Sequence, residues 1–174
     1  MIATRDIEKR LPEVEWIEDA SLRKKVIETW QRAAERGGWK NLDDVPFTLL
    51  FENSGLLTEH TRRVTKLVKT VMETREEKLN RDYLIAGALL HDVGKLMEYE
   101  LKEDGTVVKS EFGKQKRHPV SGSELAKEVG LPDEVVHIIY AHSKEGDSIE
   151  RSPEAIIVHH CDFIDFELIR GEIS

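Results

Sequence analysis

His91 and Asp92 end the most apolar stretch of the chain, RDYLIAGALLHDVGK over residues 81–95. An ionised carboxylate in such surroundings costs several kcal/mol unless a charge or a metal compensates it. One resolution is an ion pair between Asp92 and Lys95, with His91 as a hydrogen-bonded core histidine. The other is a bound cation, and residues elsewhere favour it. His60 falls three residues after Leu57 and four before Val64, on the apolar stripe of its own segment. His142 follows Val135, Ile138 and Ile139 at helical spacing, whereas His137 falls nearer the polar side. Asp162 shares a stripe with Ala155, Val158 and Phe166, with Asp165 close to it, and His118 stands directly before Pro119. Each has a bland explanation alone. Together, at least four segments direct a His or Asp inward, where an unpaired polar group costs ~1–3 kcal/mol. A mixed imidazole and carboxylate set suits iron, manganese, zinc, nickel or cobalt better than calcium, which prefers oxygen alone.

Helices must carry these residues to a common interior. Ser21 can cap a helix in which Leu22, Val26, Trp30 and Ala33 recur, and Gly37-Gly38 ends it. A second helix is expected from about Ser54 to Arg75, with Leu57, Val64, Leu67, Val68 and Val71 inward and Arg62, Lys66, Lys69 and Glu73 mostly outward. A third, from Arg81 to His91, is apolar nearly all round, the mark of a helix buried on several sides. Pro119 and Pro132 suit the first turns of helices over about 119–129 and 132–143, separated by Gly130. Ser152-Pro153 opens the last helix, reaching about Arg170. Asp104-Gly105 signals a small β-hairpin near residues 98–110. The expected fold is an all-α, single-domain helical bundle of six or so helices. Residues 1–45 form a helical extension packed on the core through Trp16, Trp30 and Trp39.

A length of 174 residues suits one domain, and 39% hydrophobic with 34% charged residues is a soluble balance. The net charge of −8 argues against general nucleic-acid binding, which needs a basic face. Small phosphorylated molecules stay open, because bound cations can make a local positive pocket. Cys161 is the single cysteine, so no intramolecular disulfide forms. With no signal-like N-terminal run and no apolar stretch of ~20 residues, a cytoplasmic protein without a membrane span is expected.

The ordered set His60, His91-Asp92 and Asp162, set in HTRRVTKL, AGALLHDVGK and IIVHHCDFID, resembles the HD superfamily of metal-dependent phosphohydrolases. The likeness spans about residues 54–170. It implies that His60, His91, Asp92 and Asp162 hold a first ion. Members with two ions add two histidines between the doublet and the last Asp, and His118 and His142 match those, with Asp92 bridging. One or two divalent transition metal ions are implied, iron or manganese foremost and zinc, nickel or cobalt as alternatives. His159 and His160 match no ligand position and are read as structural or rim residues.

The implied activity is hydrolysis of a phosphomonoester or phosphodiester, of a nucleotide or dinucleotide, by attack of metal-bound hydroxide. Asp92 and Lys95 are the expected catalytic residues, Lys95 facing the charge that develops on the phosphoryl group. Lys95, Arg117, Lys114 and Arg63 are the expected substrate contacts. Lys114 and Arg117 belong to a basic run before His118, and Arg63 lies three residues past His60. Two further readings use the same ligands: a mixed-valent di-iron oxygenase, and a non-catalytic metal-binding sensor, which the six filled positions disfavour. No Gly-Tyr-Pro motif follows the doublet, so the cyclic-dinucleotide branch defined by it is not supported.

Overall fold

The computed structural model describes residues 2–173. The chain runs α1 (Thr4–Arg10), α2 (Ala20–Arg36), α3 (Leu57–Glu73), α4 (Arg81–Leu90) and α5 (Lys95–Glu98), then β1 (Tyr99–Leu101) and β2 (Val107–Lys109). It continues through α6 (Glu111–Gln115), α7 (His118–Val129), α8 (Asp133–Ala141) and α9 (Pro153–Ile173). The fold is all-α, and the expected hairpin is present. Tyr99 pairs with Lys109 and Leu101 with Val107 in an antiparallel ribbon, and Gly105 takes the left-handed φ of +84° that its turn requires. The short helices α1, α5 and α6 were not anticipated, being too brief to show a hydrophobic period. No helix among the described residues is long and apolar enough to cross a membrane.

The caps differ in detail from expectation. Asp19, not Ser21, starts α2: its Oδ1 accepts from Ser21 N at 2.8 Å and Leu22 N at 3.1 Å. Asn80 caps α4 by accepting from Tyr83 N at 3.0 Å. Pro119 lies in the first turn of α7, which ends at Gly130 with φ +84°, and Pro132 is the N-cap of α8.

Helix α4 is the axis of the bundle. Every residue from Leu84 to Leu90 is buried, and its neighbours are α2, α3, α8 and α9. Leu84, Ile85, Leu89 and Leu90 are fully buried, each stabilising by ~1.5–3 kcal/mol, so the helix end that carries His91 is firmly held. At Gly87 a β-carbon would lie 2.5 Å from Ile138 Cγ2, so only glycine lets α8 approach this closely. The N-terminal segment packs on this axis as its tryptophans suggested. Trp30 Nε1 donates to Leu89 O at 3.0 Å, Trp39 Nε1 donates to Leu96 O at 2.6 Å, and Lys69 lies over Trp16. Ile7, Leu11, Val26 and Trp30 share one apolar cluster with Leu89, Leu90 and Val135.

Candidate metal centre

Two long helices and three helix ends aim polar side chains at one point. His60 comes from the buried stripe of α3, His91 and Asp92 from the end of α4, and His118 from the start of α7. His142 follows α8, and Asp162 lies in α9. The four histidines and Asp92 are buried, and the Asp162 side chain is 14% exposed.

The donor atoms fall into two groups that share Asp92: His60, His91, Asp92 and Asp162, and Asp92, His118 and His142. In the first, His60 Nε2 lies 3.1 Å from His91 Nε2, 3.1 Å from Asp162 Oδ1 and 3.4 Å from Asp92 Oδ2. In the second, Asp92 Oδ1 lies 3.1 Å from His118 Nε2 and 3.5 Å from His142 Nε2. Asp92 thus turns one oxygen to each group. Ligands about 2.1 Å from an ion and at right angles to each other are about 3 Å apart, which is the spacing seen.

The hydrogen bonds behind the rings fix which nitrogen faces inward. Nδ1 of His91 donates to Ala88 O and Nδ1 of His142 to Ile139 O, each at 2.7 Å. Nδ1 of His60 donates to Asp165 Oδ2 at 2.7 Å, and Nδ1 of His118 to Glu98 Oε2 at 2.8 Å. Carbonyls and carboxylates only accept, so all four rings carry a proton on Nδ1. Neutral rings then present four Nε2 lone pairs to one another and to two carboxylates. Lone pairs at 3.1 Å repel unless a cation lies among them.

Two orphaned atoms test the fit of such an ion. His142 Nε2 and Asp92 Oδ2 are buried without a hydrogen bond. Asp92 Oδ2 lies 2.7 Å from Lys95 Nζ as an ion pair, off the hydrogen-bonding direction. Both atoms belong to the donor groups, so a divalent ion satisfies both. Without an ion, protons balance the charge. Burial pulls the His60 ring down, but the carboxylates of Asp162, Asp165 and Asp92 overcome it and hold its pKa up at about 9. Burial likewise opposes the charge on Asp92, yet Lys95, His91 and His118 hold its carboxyl well below the usual range. His142 is pushed down by burial and stays neutral.

Lys95 is buried beside this cluster. Its ammonium touches Asp92 and donates to Phe47 O at 2.8 Å, and burial is outweighed by Asp92, so it stays charged. A cavity of about 360 Å³ opens over the donors, with Lys95, Lys109 and Arg117 in its walls. Arg117 is therefore where the basic run was expected to act. Lys114 is not: α6 turns it outward, where it pairs with Glu111 away from the cavity. Arg63 also lies outside the lining. Its guanidinium clamps Asp165, with Nε donating to Oδ1 at 2.7 Å, so it braces His60 from behind.

Glu98 escaped the sequence reading, as did Lys109. Glu98 is buried, accepts from both His118 N (2.6 Å) and His118 Nδ1, and pairs with Lys109 at 3.1 Å. Burial opposes its charge, but His118 and Lys109 bring its pKa to about 2. His159, expected to be structural or rim, donates from Nδ1 to His142 O at 2.6 Å.

The HD domain model matches residues 57–167, most of the chain. The dihydroneopterin 2',3'-cyclic phosphate phosphodiesterase of Methanocaldococcus jannaschii is 35% identical over 93% of this chain and 70% of its own length. The chain belongs to the HD-domain family of phosphohydrolases. HD domains bind divalent metals, in accord with the clustered His and Asp donors. Ribonuclease Y of Thermotoga maritima is 31% identical over 48% of the chain, which covers 14% of that protein. Ribonuclease Y of Fervidobacterium nodosum is 33% identical over 49% of the chain and 14% of its own length. No solved structure matches the chain.

Proposed function

We propose that this HD-domain protein hydrolyses a cyclic phosphodiester of a small molecule at a centre of two divalent ions. His60, His91, Asp92 and Asp162 would hold the first ion and Asp92, His118 and His142 the second. The observation that carries this reading is the convergence of four Nε2 lone pairs on the two faces of the Asp92 carboxylate, at the floor of a cavity edged by cations. The first relative's name supplies the substrate chemistry, a small cyclic phosphate, and this chain covers most of that relative. Iron or manganese is the proposed metal, since imidazole and carboxylate donors suit both.

Bound ions would supply a nucleophile from water at neutral pH and offset charge on the phosphoryl oxygens. The chain's own groups do the rest. Lys95 has three N–H donors and one hydrogen bond, to Phe47 O, beside its ion pair with Asp92, which leaves donor capacity for a phosphoryl oxygen. Arg117 is positioned at the rim by Glu145, at 2.5 Å, with a fork that suits phosphate. Lys109 is held by Glu98 on the hairpin side of the same cavity. In the reaction a water oxygen forms a new P–O bond, one ester P–O bond breaks, and the freed alkoxide takes up a proton. The product is one phosphomonoester.

The test is anaerobic purification with elemental analysis, followed by a panel of 2',3'-cyclic phosphates, linear diesters and monoesters, with oxygen uptake recorded in parallel. About two ions per chain and monoester release from the cyclic substrates are expected. Undiminished hydrolysis after the ions are stripped by chelator would overturn the reading. So would oxygen consumption without phosphoester cleavage.

A further inference from the structure

The cavity over the donor cluster is lined by two chemically different sets of side chains. Asp92, Lys95, His118 and Arg117 are polar, while Leu49, Leu50, Phe163 and Phe166 are apolar. We propose that these apolar walls form a subsite for a flat heteroaromatic ring of purine or pterin size carried by the substrate, selected by Phe163 and Leu50. This rests on the reading above that a small phosphoester is cleaved at the cluster.

The side chains themselves argue for it. Phe163 is 39% exposed, and Leu50 78%, although both are large and apolar and both line the cavity. Such surface is costly to leave wet. Three of the chain's five phenylalanines, Phe47, Phe163 and Phe166, stand in these walls. Their rings are braced rather than loose. Phe166 has Phe47 edge-on at 6.0 Å and Phe51 at 5.8 Å. Phe163 has the His159 ring at 4.8 Å, and His159 is tied to the carbonyl of His142. Rigid aromatic walls suit a flat ring, for which stacking loses little conformational freedom, better than a flexible acyl chain.

The placement of these walls in the chain also suits a short spacer. Phe163 directly follows Asp162 on α9, and Leu50 sits at the tip of a loop anchored over Lys95. That loop closes on itself through Phe47 N donating to Gly55 O at 2.8 Å and Ser54 Oγ donating to Thr48 O at 2.9 Å. A volume of about 360 Å³ lies at the small end of ligand pockets, enough for one ring system, a short linker and a phosphate. Polynucleotide is disfavoured, because Lys109 and Arg117 are each paired to a carboxylate and the chain carries a net charge of −8.

Steady-state kinetics of the metal-loaded full chain on two cyclic diesters tests the subsite: adenosine 2',3'-cyclic phosphate and the ring-free glycerol 1,2-cyclic phosphate. Stacking of the base on these walls favours the ring-bearing diester in kcat/KM about fivefold or more. Phe163→Ala raises KM for the adenosine substrate about tenfold and leaves the glycerol substrate unchanged. Phe163→Trp keeps the preference, and Leu50→Ser, on a largely exposed loop tip, lowers it in the same direction. Equal wild-type efficiency on both diesters, or an equal loss on both in Phe163→Ala, overturns the subsite while leaving the phosphodiesterase reading standing. Hydrolysis of neither overturns both.

Discussion

Asp92→Asn keeps the shape of the residue common to both donor groups and removes its charge. Asp92 Oδ2 stands 3.4 and 3.5 Å from His60 and His91, and Oδ1 stands 3.1 and 3.5 Å from His118 and His142. An amide offers one oxygen to these two groups instead of two, and its N–H₂ cannot coordinate. Both ions should therefore leave, and activity should fall by more than the ~10–100-fold that loss of an outer-shell partner costs. The metal-free protein gives an independent readout. Lys95, whose side chain is 8% exposed, loses its one ion-pair partner among the described residues and keeps the carbonyl of Phe47 and the Phe47 ring, 4.4 Å from its Nζ. Removing one partner of a buried pair costs about 3–5 kcal/mol. At about 2–4 °C per kcal/mol for a chain of this size, the melting temperature in chelator should fall by roughly 6–20 °C. Elemental analysis and calorimetry on chelated wild type and variant measure both effects. A variant that holds two ions per chain, or that melts with wild type in chelator, would show that Asp92 is neither the shared ligand nor the counter-charge of Lys95.

Glu98→Gln should weaken the second ion by about 10–100-fold and spare the first, because Glu98 fixes His118 through two hydrogen bonds; titration calorimetry would show one tight class of site where wild type shows two. Gly94→Ala would put a β-carbon 2.2 Å from His118 O and 2.9 Å from Gly122 N, backbone atoms that cannot yield without moving α7. A loss of about 1–3 kcal/mol in urea denaturation is expected, and an unchanged midpoint would refute the close approach. In chelated protein, the raised pKa of His60 sets a pH window. The stabilisation is complete below the unfolded value near 6.5 and is lost as pH rises through about 9, a fall of up to roughly 3 kcal/mol. Metal-loaded protein, in which an ion replaces the proton, should show no such slope between those values. Equal slopes in the two forms would count against the cluster being a metal centre.

The residues that point inward were legible because α3, α8 and α9 each bury one face. A His or Asp in an apolar stripe is out of place there without a partner, so His60, His142 and Asp162 stand out from periodicity alone. Their supports do not. Glu98 ends a four-residue helix, where no period exists, and its burial comes from His118, 20 residues further along the chain. Asp165 could be read as near the face, but Arg63 could as well have reached substrate as a carboxylate. Only the docking of α9 on α3 sends it to Asp165. Asp19 and Ser21 were both adequate caps for α2, and Asp82 tips the choice by accepting from Asp19 N at 2.8 Å, a contact made across 63 residues. Each missed feature is a polar group whose role is defined by a partner distant in sequence, whereas an apolar stripe needs only an interior. The groups best read from sequence are therefore those that converge from separate apolar stripes, and the groups that set their orientation become visible only once the helices are packed.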